Sequence, residues 1–342
     1  MPNYMNIVNA ALNKPTERIP LYEHSINDTF MEKITGNKFR HLYNENLKEY
    51  YRHYCAFFRD MGYDTVSFEC GLGPVMPGSG ALGEGKEGVI KTREDFDAYP
   101  WNKLADLYFQ RYTPHFDALC EVMPQGMKAI GGVGYGVFEC VQDVVGFQEL
   151  CFIKADDDEL FAGLFKAVGD AMAIIWNEVL TRWGDVFCVC RFGDDLGFKS
   201  ATLLPPEDIR EHIIPQYKGL IGLIHDFGKP FLFHSCGKVD SVMEDIIAVG
   251  IDAKHSNEDA IAPFSFWTKT YGSRIGNFGG LDTDALCDIS PLDISAYTTD
   301  IYRVCAAKGH GVAIGSGNSI PEYVCPDRYQ KAIEIIRKLR GE

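Results

Sequence analysis

The stretch His234-Ser235-Cys236-Gly237 closes the apolar run Pro230-Phe231-Leu232-Phe233 and sets an imidazole and a thiol two residues apart. Alternate residues of a strand share a face, so the two side chains project together from the end of a buried strand. An imidazole nitrogen and a thiolate can hold one zinc ion between them. The competing reading is a buried histidine bonded locally beside an inert core thiol. Spacing alone does not separate the two, because 9 His and 11 Cys in 342 residues supply roughly 0.3 such pairs by chance.

A catalytic zinc needs at least one more protein ligand and an open position for substrate. Glu258 and His255 stand at the end of the next apolar run, and Cys325 lies beyond the last one. Any of the three can complete the set. Asp194-Asp195 emerge from Arg191-Phe192-Gly193 and are expected to position substrate, exchange a proton or orient a ligand. Solvated loop charge or a helix cap is the plainer alternative for them. Tyr135 is a further candidate for proton transfer, and Glu69, His255, Asp282, Ser316 and Asn318 for substrate contacts.

These residues need elements to hold them. Short apolar runs recur at Ile19–Glu23, Thr65–Cys70, Ala129–Val133, Val186–Phe192, Pro230–Cys236, Asp252–His255, Arg274–Gly279 and Gly311–Gly315. Helical patterns separate them: Asn46–Met61, Leu104–Met123, Asp157–Trp183, Pro206–Phe227, Val239–Val249, Pro263–Tyr271 and Ile294–Lys308. Strict alternation implies parallel pairing with helical crossovers, and eight such units make a closed (β/α)8 TIM barrel. An open doubly wound sheet fits less well, since no Gly-x-Gly-x-x-Gly follows the first strand. The expectation is therefore one α/β barrel domain over residues 1–342 with an N-terminal extension. In that fold the loops at the C-terminal strand ends converge on one cavity. All the candidate residues fall at or after those ends. The Gly- and Pro-rich segment 71–101 has no helical periodicity and is expected to form a lid or wall over the barrel mouth.

The net charge of −15 argues against a nucleic-acid partner and against docking on an anionic membrane. No apolar run has the length of a membrane span. The first 20 residues lack a signal-peptide core. Eleven scattered cysteines, several inside apolar runs, fit a reduced cytoplasmic chain.

With these residues in order, the chain resembles the uroporphyrinogen decarboxylase superfamily over nearly its whole length. The likeness rests on Phe192-Gly193-Asp194-Asp195-Leu196-Gly197, His234-Ser235-Cys236-Gly237, Gly279-Gly280-Leu281-Asp282 and Gly315-Ser316-Gly317-Asn318-Ser319-Ile320. True porphyrinogen decarboxylases open with an Arg-x-x-Gly-Arg pair for the substrate's carboxylates, whereas here the first strand gives Leu21-Tyr22-Glu23-His24-Ser25. They also carry an aspartate in the second-strand region, where this chain has Glu69. The resemblance is thus nearer to the corrinoid-linked methyltransferase branch, which implies zinc on His-x-Cys and a later Cys. Ser316 stands at the matching position of that later Cys, and the nearest thiol is Cys325. Similarity to the His-x-Cys, Glu and Cys pattern of cobalamin-independent methionine synthase makes Glu258 the preferred third ligand.

The resemblance implies a zinc-dependent methyltransferase. It would move a methyl group between a small thiol, methoxy or methylamine compound and a corrinoid carried by a partner protein. The alternatives are a metal-free decarboxylase-like lyase using Asp194 and Tyr135, or a non-catalytic corrinoid- or tetrapyrrole-binding protein. A small-molecule substrate, a corrinoid protein and a homodimer are the partners in view.

Overall fold

The computed structural model describes residues 1–287 and 289–342. Seven parallel strands lie in sequence order: β1 (Thr65–Gly71), β2 (Lys128–Gly134), β3 (Phe187–Gly193), β4 (Phe231–His234), β5 (Ala253–His255), β6 (Gly276–Leu281) and β7 (Val312–Ser316). Each neighbouring pair is parallel, with Gly193 opposite His234 and His234 opposite His255. The expected helices fill the crossovers, among them Leu47–Met61, Leu104–Val122, Asp158–Trp183 and Ile294–Lys308. This is the curled sheet of a TIM-barrel-like fold.

The eighth strand position differs from expectation. The segment Ile19–Glu23 does not form a full strand. It makes a single bridge, Leu21 opposite Ile314, and Ile26 makes another opposite Ile320. Tyr22 N–H bonds Ile314 O at 2.9 Å and Ile314 N–H bonds Pro20 O at 2.9 Å. Beyond that the ladder fails for two local reasons. Pro20 has no N–H to give, and Ser316 N–H goes to the Glu23 carboxylate, at 3.1 Å from Oε2. On the other side the Glu23 carbonyl accepts from the Ser67 hydroxyl of β1 rather than from a main-chain N–H. Between the two bridges the seam is closed by side chains.

The barrel interior is built in layers. Helix Met5–Ala11 covers the N-terminal end, packing Ile7, Ala10 and Ala11 against a buried cluster of Ile130, Val189, Leu232, Ala253, Phe278 and Ala313. Two residues further along the strands, the same inward face carries Arg191, His234 and His255. An apolar layer thus supports a polar one at the C-terminal mouth.

Segment 71–101 is held against the body of the chain. It contains a short helix, Arg93–Ala98, which its composition did not announce. The Thr92–Asp95 capping box supplies that helix's start. Gly80 N–H bonds Asp143 Oδ1 at 2.9 Å, and Val89 N–H bonds Val144 O at 2.7 Å, tying the segment to helix Val137–Val145. Among the described residues, no helix is long and apolar enough to cross a membrane.

Glu23 is 1% exposed, and burial raises its carboxyl from 4.5 to about 7 against hydrogen bonds from Ser316 and Tyr63 that favour the anion. The folded chain therefore holds this proton more tightly than the unfolded one. Its contribution falls as pH rises from about 4.5 to about 7, by a total on the order of 3 kcal/mol. Thermal unfolding at pH 5 and pH 8 should show the wild type losing more stability than Glu23→Gln over that interval. Equal losses would contradict the assignment.

Candidate active site

The strand ends bring His234 and Cys236 together as their spacing requires, with His234 Nε2 3.4 Å from Cys236 Sγ. Asp195 joins them: one carboxylate oxygen lies 3.8 Å from His234 Nε2 and accepts the Cys236 N–H at 2.8 Å. Ligand atoms of Asp195, His234 and Cys236 all fall within 4.8 Å of one another. His24, His234 and His255 form a second group of the same compactness, sharing His234.

The hydrogen bonds around His234 fix which nitrogen faces the group. His255 Nε2 lies 2.9 Å from the Ser316 carbonyl, which can only accept, so that nitrogen carries the proton. Burial lowers His255 to about 3, so its ring is neutral and its Nδ1 is an acceptor. His234 Nδ1 lies 2.7 Å from it and must donate. The remaining lone pair of His234, on Nε2, therefore points at Cys236 and Asp195. Burial, with neighbouring His255 second, holds His234 well below its ordinary range, so the ring stays neutral. A neutral imidazole whose other N–H is anchored is the form that binds a metal.

Cys236 sits in a mixed environment. Asn318 Nδ2 donates to its sulfur at 3.1 Å and Ser256 Oγ at 3.7 Å, both favouring a thiolate. Burial outweighs them and, with the Asp195 carboxylate, pushes the thiol well above its ordinary value. A cation placed between sulfur and carboxylate would reverse that balance. The donor set (one imidazole, one thiol, one carboxylate) fits zinc.

The other predicted residues are distributed unevenly. Asp194 is fully buried and faces away, accepting from Phe138 N and Glu139 N at 2.9 Å each and from the Tyr217 hydroxyl at 2.5 Å. It caps helix Val137–Val145 from outside, and Gly136 makes room for it: a Cβ there would lie 2.1 Å from the Asp194 carboxyl carbon. Glu258 accepts from Gly237 N–H at 3.2 Å and lines a cavity of about 300 Å³ with Asp282 and Asn318, outside the compact ligand group. Asp282 spends its oxygens on the N–H groups of Asp259 and Asp284, ordering its own loop. The Ser316 hydroxyl turns to Glu23 and to the Asn318 carbonyl. Cys325 starts helix Pro326–Leu339, with its N–H on Leu286 O, and is not in the ligand group.

Glu69 and Tyr135 line a separate cavity of about 250 Å³ together with His24, Tyr54 and Arg191. His24 and Arg191 were not singled out from the sequence. A lone arginine inside the apolar run Val186–Phe192 was the available signal for one, and a histidine ending the first strand for the other. The His24 ring stacks on that of His234 at 3.8 Å. Asn318 touches Cys236 from the other cavity, so the compact group lies between the two.

The uroporphyrinogen decarboxylase (URO-D) family matches residues 5–339. This chain belongs to that family. No curated protein matches it. Among solved structures it is similar to a methyltransferase from Methanosarcina mazei, with TM-score 0.76 and 14% identity over 98% of each chain. A glycoside hydrolase family 5 enzyme from Prevotella bryantii B14 gives TM-score 0.49 and 13% identity over 85% of this chain and 86% of that one. At 14% identity the first likeness establishes the URO-D chain's fold, not its chemistry.

The two adjacent aspartates should respond differently to mutation. Asp194→Ala strands three buried donors and should cost about 3–4 kcal/mol in urea unfolding. Asp195→Ala, on a half-exposed side chain, should cost under about 1 kcal/mol. Similar losses for both would refute the division of roles.

Proposed function

We propose that this URO-D family chain is a zinc-dependent methyltransferase. It would move a methyl group between the heteroatom of a small substrate and a corrinoid held by a partner protein. The observation that carries the reading is the convergence of the tautomer-fixed His234 Nε2, Cys236 Sγ and the Asp195 carboxylate at the barrel mouth. The fold it shares with a methyltransferase from Methanosarcina mazei supports it further.

His234, Cys236 and Asp195 would hold the metal. Bound zinc supplies positive charge that favours the thiolate, or withdraws electrons from an ether or amine donor. The chain's own contributions are positional. His255 and the Ser316 carbonyl hold the His234 ring so that its lone pair faces the site. Asn318 and Ser256 donate to the Cys236 sulfur, and segment 71–101 would limit access of water to the mouth. Metal-free lyase chemistry on Asp194 and Tyr135 has less support. Both carboxylate oxygens of Asp194 are committed to protein donors.

Protein purified without a histidine tag should contain about one zinc per chain by elemental analysis. His234→Ala/Cys236→Ala should lose it while keeping its circular dichroism spectrum. Asp195→Ala should lower zinc retention more than Glu258→Ala or Cys325→Ser. His255→Phe should weaken retention about 10–100-fold. A folded wild-type chain that takes up no zinc overturns the proposal.

A further inference from the structure

The cavity of about 250 Å³ lined by His24 contains none of His234, Cys236 and Asp195, and its chemistry specifies a ligand class of its own. At its floor lies Arg191, on the inward face of β3 and only 1% exposed. Its Nε donates to Glu69 at 2.6 Å and its Nη1 to the Tyr22 hydroxyl at 2.7 Å. Among the described residues Nη2 donates to no protein group, although Arg191 lines the cavity. A guanidinium removed from water keeps its charge and needs every donor used. Glu69 is its counter-charge, and the Glu69 side chain is 20% exposed on the same cavity.

Tyr135 is set into the wall at some cost. Its φ is +63°, which among the described residues puts it with Asn13 as a non-glycine residue in the left-handed region. That conformation lays its ring over Gly71 and Gly73, where a Cβ would come within 2.8–2.9 Å of the ring. Tyr54 and Phe68 add apolar surface.

We propose that this cavity is a binding site for a small molecule with no net charge that carries an acceptor and a donor close together, an amide or a zwitterion. The acceptor takes the free Arg191 Nη2, and the donor takes Glu69. A net anion would gain Arg191 but face Glu69, and a net cation the reverse. The apolar part lies against Tyr54, Phe68 and Tyr135. A volume slightly below the usual range for small-molecule sites restricts the ligand to a few carbons. None of this requires metal, so the site stands or falls separately from the zinc reading.

Four probes of nearly equal size separate the possibilities: N,N-dimethylglycine as zwitterion, isovaleramide as neutral amide, isovalerate as anion and isopentylamine as cation. Binding of each to the full chain is read by saturation-transfer NMR and calorimetry at millimolar concentrations. The wild type should bind the zwitterion and the amide about tenfold more tightly than either singly charged probe. Glu69→Gln removes the counter-charge and should move the preference to isovalerate, with zinc content unchanged. Singly charged probes that bind as well as the others would overturn the proposal, as would no binding by any of the four. So would an unchanged order in a folded Glu69→Gln variant. If that variant does not fold, the wild-type ranking alone decides.

Discussion

Closure of the barrel between β7 and β1 is the constraint on which the rest of this molecule depends. Seven strands pair by main-chain ladders, but the last gap is bridged by a chain segment too irregular for one. Between its two main-chain bridges the buried Glu23 carboxylate does the joining, through the N–H and hydroxyl of Ser316 and the hydroxyl of Tyr63. Its main-chain carbonyl meets Ser67 of β1. A carboxylate in that position is costly to desolvate, and it is tolerated because three groups converge on it. Ser316 then offers its carbonyl to His255, and His255 accepts from His234. The orientation of the leading candidate ligand is thereby continuous with the closure of the sheet.

Much of this architecture was legible in the sequence. Buried parallel strands are continuous apolar runs, and the predicted limits of β1 to β7 agree with the observed ones to within two residues. The first run failed because Pro20 and Glu23 act through groups that periodicity does not register. The pairing of His234 with Cys236 followed from the period of two. The same rule, continued from the inward-facing Arg191 through Gly193, puts Asp195 inward and Asp194 outward; two adjacent acids look alike only when that alternation is not followed to the strand's end. Glu258 and Cys325 lie on loops, where sequence separation sets no direction. The anchoring of His234 by His255 depends on register between β4 and β5, which no local pattern encodes.

The mouth also shows how an acidic chain keeps a charged interior balanced. His24, His234 and His255 are all held neutral, chiefly by burial. Arg191 is matched by Glu69, and Asp195 is left half-exposed at the rim. Of these groups, Asp195 has no counter-charge, and it sits at the solvent edge of the polar layer, above the apolar layer that supports it.

Ser316 links two parts of the protein that would otherwise vary independently. Its hydroxyl is shared between Glu23 and the carbonyl of Asn318, and Asn318 in turn reaches the sulfur of Cys236. A larger, softer side chain at 316 would meet a carboxylate that has lost one of its three donors. A change of side chain at 316 is therefore felt at Glu23 and at the sulfur of Cys236 together.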